Sequence, residues 1–219
     1  MKKRLLGTSF ILLSVIFGFS QKKITEGTIV YNLTVNSDDP NPKMIDGLDG
    51  ATNTVYIKGK LSRTEFVSIY GVQSTIIDKK SGNITLLKEF GEKKYMISLN
   101  PTDWLEMNRQ YDSVTFSYDN ETKSIAGYNC KKAVGKLKTG ESFTVYYTTD
   151  LVPENQEFQY SNRSLPGLAL QYETTYNGKK AVYTASSINF NPVPIAKFDL
   201  PKNGFRVMSY EESKKAVSN

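Results

Sequence analysis

Three apolar residues within four positions, Trp104, Leu105 and Met107, are the side chains best suited to handling a ligand. Tryptophan offers a large surface and methionine an adaptable one, a combination that suits acyl chains of variable shape. The same trio could equally plug a protein core. Seven aromatics at strand positions widen the set: Tyr56, Phe66, Tyr70, Phe116, Tyr118, Phe143 and Tyr147. Filled cores favour branched aliphatics, whereas tyrosines mark half-wet walls, so these rings could line a cavity. The competing reading is the plain preference of strands for aromatic residues.

Chemistry beyond binding finds little support. The chain has no His, which removes Ser-His-Asp and Cys-His nucleophiles and every His-ligated metal. One Cys cannot form an internal disulfide, a thiolate cluster or a CxxC pair. Cys130 itself reads as a small buried residue, since a reactive thiol needs exposure and a depressed pKa. Asp38, Asp39, Asp46 and Asp49 offer oxygen ligands, but their spacing lacks the alternation and terminal Glu of a calcium loop, and a solvated turn is expected. Asp103 and Glu106, three apart on one helix, read as surface charge rather than a glycosidase pair. The expectation is therefore a non-enzyme with no catalytic residue, no metal and no cofactor. An enzyme here would need carboxylates, a Ser–Lys pair or an oxygen-held metal.

The elements that position these side chains are mostly strands. Apolar alternation of period two, bounded by Gly, Asn and Asp, predicts strands over 28–35, 53–58, 61–70, 72–78, 84–89 and 94–99. Those between 53 and 99 are joined so tightly that neighbours must be antiparallel. A helix follows from Asn100 as N-cap, Pro101 in the first turn and Asp103 at the positive end of the dipole, running to about Gln110. Strands resume over 114–118, 123–125, 130–137 and 142–149. A long polar loop spans 151–166. Strands over 168–176 and 179–189 flank Asn177-Gly178, the strongest two-residue hairpin signal. A last strand is expected over 205–210 and a frayed end over 211–219, with a second short helix over 41–48. The fold class expected is mostly β: a large antiparallel curved sheet, a half-open barrel, with one or two short helices packed in the concave face.

The N-terminus carries a targeting signal. Lys2, Lys3 and Arg4 precede an uncharged apolar run from Leu5 to Phe19, and Gly18 and Ser20 place small residues at −3 and −1. That run of about 15 residues is short of the roughly 20 a membrane helix needs. Residues 1–20 are thus expected to be a signal peptide and 21–219 a single β domain. Export to the periplasm, the cell envelope or the medium follows, and the domain is not an integral membrane protein after cleavage. Without residues 1–20, 25 basic residues face 22 acidic ones, and the net charge falls from +6 to +3. The remaining lysines lie in scattered pairs beside turns, so no nucleic-acid partner is expected.

Three stretches carry a family resemblance. They are Thr54–Gly59 with Arg63–Glu65, Thr75–Asp78 and Tyr95-Met96; Ser124–Ala133 with Tyr146–Asp150; and Leu165–Leu170 before Phe198-Asp199-Leu200-Pro201. The chain resembles a family of exported bacterial domains of unknown function, of Bacteroidetes type, whose fold is similar to the lipoprotein-localisation factor (LolA-like). Leu165-Pro166-Gly167-Leu168 also resembles the GLPGLI-type exported proteins, with Ser164 in place of their first Gly. The resemblance implies a half-open barrel closed by helices around an apolar cavity, and it brings no catalytic residues. The function expected is a non-catalytic cell-envelope binding module for an acyl chain, lipid or lipidated peptide. The alternative is a structural or protein-interaction component of the envelope with a packed barrel and no ligand.

Overall fold

A computed structural model describes residues 21–35, 47–176 and 179–217. The segment 1–20, the helix expected over 41–46 and the Asn177-Gly178 turn lie outside the described residues. Leu48, the end of that expected helix, is in a short 3-10 turn.

The strands, in chain order, are β1 (Lys22–Ile24), β2 (Glu26–Val35), β3 (Thr52–Lys58), β4 (Leu61–Ser68), β5 (Gly71–Asp78), β6 (Asn83–Phe90) and β7 (Lys93–Leu99). They continue with β8 (Thr115–Ile125), β9 (Tyr128–Lys136), β10 (Ser142–Thr148), β11 (Leu151–Pro153), β12 (Leu168–Tyr176), β13 (Lys179–Asn189) and β14 (Arg206–Ser209). Twelve of them form one curved sheet in the order β14-β7-β6-β5-β4-β3-β2-β13-β12-β10-β9-β8, which does not close into a barrel. All neighbours are antiparallel except β14, which joins β7 in parallel. The sheet is therefore mixed at one edge. The remaining two strands, β1 and β11, pair in parallel on their own.

Register explains which face is inside. Ile57, Ser62, Ile77, Ile84 and Leu99 stand opposite one another across β3 to β7. The next row on that face is Val55, Thr64, Thr75, Leu86, Ile97 and Met208. The buried residues of these rows, with Ile29, Tyr31, Leu33, Val145, Leu168 and Leu170, make the core. Tyr31 is 2 % exposed and its hydroxyl donates to the Ala169 carbonyl at 2.9 Å. Burial pushes its pKa well above the ordinary tyrosine value.

The helix α1 (Pro101–Met107) starts as its sequence predicts. Asn100 Oδ1 accepts from the Thr102 and Asp103 N–H groups, and Asp103 Oδ2 accepts from the Asn100 N–H, a reciprocal capping box. The helix ends at Met107 and a 3-10 turn over Arg109–Tyr111 follows.

Three expectations change. The strands expected over 114–118 and 123–125 are one strand, β8, whose pairing with β9 slips between Tyr118 and Thr122. The slip lies on the sheet's edge, where a bulge discourages pairing with another chain. The polar loop of 151–166 holds β11 and a 3-10 segment, Glu157–Asn162. Asn155, wholly buried there, donates to the Lys60 carbonyl and accepts from the Glu157 N–H. The tail is not frayed over 211–217: α2 (Tyr210–Val217) docks on β7 and β14. Its Lys214 bridges to Glu106 of α1 at 2.9 Å.

Between β13 and β14 the chain crosses the outer face of the sheet. Glu26 accepts from the Val193 N–H and pairs with Lys58, and both contacts hold its carboxyl below the ordinary range. Arg63 donates to the Lys197 carbonyl at 3.1 Å. Val193 and Phe198 are buried in this crossing, which is how a sheet with an open inner face still has both faces partly covered.

Candidate ligand-binding site

The inner face is not packed solid. A cavity of about 510 Å³ lies between the sheet floor, α1 and the Glu157–Asn162 segment, within the size range of small-molecule sites. Its floor comprises Asn53, Thr64, Phe66, Gln73, Thr75, Tyr172 and Tyr183, supplied by β3, β4, β5, β12 and β13. Phe143, Tyr111, Phe158, Tyr160 and Trp104 add aromatic walls. Tyr172 stacks on Tyr183 with ring centroids 4.9 Å apart, and Phe66 meets Tyr183 edge-on at 6.4 Å. The charged residues in the lining are Glu141, Glu157 and Glu173, and no Lys or Arg lines it. Glu173 accepts from the Thr144 N–H and faces Lys180 at 3.4 Å, while Glu157 lies 3.8 Å from Lys79.

A second void of about 290 Å³ adjoins the first. Ile77, Ile84, Pro101, Trp104, Leu105 and Tyr160 give it mostly apolar walls, with Lys79, Arg163, Asp78 and Glu157 around them. Ile77, Trp104, Glu157 and Tyr160 border both voids. Trp104 meets Tyr160 edge-on at 5.7 Å, so this pair forms the wall between the two compartments. Tyr160 is braced from behind: its hydroxyl donates to Asp112 at 3.1 Å and the Arg163 guanidinium lies 3.9 Å over its ring. Burial, more than the Asp112 contact, raises its pKa.

The ten expected site residues fall in different places. Trp104, Phe66 and Phe143 line the larger cavity, and Trp104 with Leu105 the smaller one. Met107, 38 % exposed, borders neither of them. Tyr147 is buried in the core beside Tyr118, which is itself exposed. Phe116 supports Phe143 edge-on from the same cross-strand row, across Gly135 of β9. Tyr56 is on the outer face under Lys197, and Tyr70 sits at the exposed β4–β5 turn. Alternation decides these fates: Tyr56 lies between the inward residues Val55 and Ile57, so it cannot face the cavity.

Polar residues of the lining were not singled out by sequence. Asn53, Thr64, Gln73 and Thr75 occupy inward positions of β3, β4 and β5, where an apolar side chain is the rule. That break in alternation was the available signal. The lining is accordingly mixed rather than apolar.

Other chemistry-bearing residues have structural work. Asp103 caps α1, Glu106 pairs with Lys214, and Asp49 Oδ1 accepts from the Val35 N–H at 2.9 Å. Asp38, Asp39 and Asp46 lie outside the described residues, and no cluster of three metal-ligating side chains occurs among the described ones. Cys130 is fully buried, and desolvation pushes its thiol up to about 11. At neutral pH the thiol is therefore protonated. Thiol-reactive dye should label the native protein at least about 100-fold more slowly than the urea-unfolded chain. Equal rates would contradict the burial.

No protein-family model matches the chain, and no curated protein matches it. Similar folds do occur among solved structures. An uncharacterized conserved protein from Thermus thermophilus superposes with a TM-score of 0.50 at 12% identity, over 84% of this chain and 90% of that one. A PNGF-II structure aligns with 84% of this chain at 18% identity and a TM-score of 0.46. This chain spans only 31% of the PNGF-II length. A β-barrel-like protein of a domain of unknown function, DUF1849, from Brucella abortus aligns at 7% identity and a TM-score of 0.38, over 76% of this chain and 98% of that one. The class is thus an open, curved β-sheet domain, a fold similar to that of the Thermus thermophilus protein. Among the described residues no helix is long and apolar enough to cross a membrane.

Proposed function

We propose that this chain is a non-catalytic binding module of the cell envelope that holds an amphiphilic ligand, of the lipid, acyl-chain or lipidated-peptide class, in its concave face. The LolA-like resemblance of the sequence and the N-terminal export signal support this reading. The observation that carries it is the pair of adjoining voids, one mostly apolar and one mixed, divided by Trp104 and Tyr160. A purely structural barrel has no need of a concave cleft of this size lined by aromatic side chains. That favours ligand carriage over the alternative of a purely structural envelope component.

Native mass spectrometry of protein purified from its own envelope tests the proposal. The expected result is a fraction of the protein carrying a co-purified amphiphile that a fluorescent fatty-acid analogue displaces. Apo protein alone, with no uptake of the analogue, overturns it.

A further inference from the structure

Among the described residues, four buried side-chain polar atoms find no hydrogen-bond partner: Asn53 Oδ1, Asn162 Oδ1, Trp104 Nε1 and Arg63 Nε. Three of the four belong to residues lining the larger cavity. Asn53 is 8% exposed and Asn162 1%, so neither can be dismissed as a surface amide. An orphaned buried polar atom is destabilising, and its persistence calls for a cause such as a ligand. Collection of three around one void is a pattern that folding alone does not require.

The lining narrows the ligand. No Lys or Arg lines it, so an anionic head such as a free fatty-acid carboxylate would find no cationic partner there, while Glu173 and Glu157 are already paired with Lys180 and Lys79 outside the lining. Its other polar groups are amides and hydroxyls, which donate and accept in turn. Its aromatic rings provide apolar faces beside them. An alternation of hydroxyls and C–H faces on one rigid ring matches that surface. We propose that the larger cavity receives a neutral, hydroxyl-rich hexose unit, its hydroxyls meeting the Asn53 and Asn162 amides and the Trp104 N–H. This rests on the binding reading above and adds the chemistry of the head. Turning an amide about its last torsion exchanges oxygen for nitrogen, so either atom can be offered to a sugar hydroxyl.

Trp104 is the sole tryptophan of the chain, so its fluorescence reports on this wall alone. The full exported chain is titrated with octyl β-glucoside below its micelle concentration, cellobiose, octanoate and octylammonium, with calorimetry as an independent reading. Saturable binding of octyl glucoside, tighter than of octanoate and octylammonium, is expected. Cellobiose binding as well would indicate a free oligosaccharide as source, and octyl glucoside binding alone a glycolipid head. Asn53→Leu and Asn162→Leu should each weaken octyl glucoside about tenfold while leaving octanoate unchanged, the scale of one lost hydrogen bond. Their melting temperatures should hold or rise, because an orphaned amide oxygen is removed. Gln73→Ala, at a more exposed position of the lining, is the milder variant should either Leu variant fail to fold, and it should weaken octyl glucoside in the same direction. Octanoate or octylammonium binding as tightly as octyl glucoside overturns the hexose assignment and leaves the binding module standing. So does a fall in melting temperature in both Leu variants with glucoside affinity unchanged, which would make the amides structural. No binding of any probe overturns both.

Discussion

Gly167→Ala should destabilise the protein by ~3 kcal/mol, at the upper end of what one added methyl costs in a packed site. A Cβ on Gly167 would lie 2.0 Å from the Thr148 carbonyl oxygen, 2.9 Å from its carbon and 3.1 Å from Thr149 Cα. All three are backbone atoms, so no side chain can rotate away. Nor can the Gly167 segment retreat. Its carbonyl accepts from Gln159 Nε2 at 3.2 Å, and the Ala169 N–H donates to Gln159 Oε1 at 3.3 Å. Relief requires β12 to part from β10 where Leu168 pairs with Thr148. Pro166→Ala is the contrast: Pro166 is exposed, and its loss should cost no more than about 1 kcal/mol through the unfolded chain. Urea unfolding of both variants measures the difference. Equal midpoints would mean that β10 and β12 tolerate the extra atom and that the close approach is not a constraint.

The Leu165–Leu168 element illustrates how far the sequence could be read. Pro166 and Gly167 read as a sharp re-entry into the sheet, with Pro presetting φ and Gly permitting a positive φ; Gly167 does not adopt a positive φ, and what it supplies is the absence of a Cβ. What the Gly avoids was not legible, since Thr148 is brought to it only by the β10–β12 pairing. The same division holds elsewhere. Strands β3 to β7 follow from local alternation and turn residues, and α1 from Asn100, Pro101 and Asp103. The second helix was signalled too: Ser209 and Glu212 exchange side-chain-to-backbone hydrogen bonds in a capping box, at the S-x-x-E spacing that marks a helix start. Its polar, charged sequence masked that signal. The parallel β14–β7 and β1–β11 pairings join residues more than 100 positions apart, and no local pattern encodes such partners. The site divides likewise. Trp104 stood out by type. Tyr160 and Asn162 did not, because they occupy a stretch whose polar composition reads as loop. Asn53, Gln73 and Thr75 required knowing that an inward polar residue on a strand is a departure that needs a cause.

Trp104→Ala should merge the two voids, and with them abolish selectivity for ligands that have distinct head and tail. Trp104 packs on the cluster of Ile77, Ile84, Leu86, Ile97, Leu99 and Met208, and it holds Tyr160 edge-on. Truncating a buried Trp costs about 3–5 kcal/mol as a rule. Here the residue is only half-buried, and loss of its orphaned N–H returns part of the cost. The expected net destabilisation is ~2 kcal/mol. Binding should suffer more, because the wall both contacts the ligand and keeps Tyr160 upright. A loss of at least tenfold by calorimetry is expected for any amphiphile that occupies both compartments, equivalent to about 1.4 kcal/mol. Trp104→Phe separates the two roles. A phenyl ring preserves most of the wall but has no N–H, so stability should stay within about 1 kcal/mol of the parent. If the Phe variant binds an acyl tail normally and a hydroxylated head weakly, the indole acts through its donor. If both variants bind every ligand as the parent does, the Trp104–Tyr160 wall has no part in recognition, and the two voids are incidental gaps beneath a short helix.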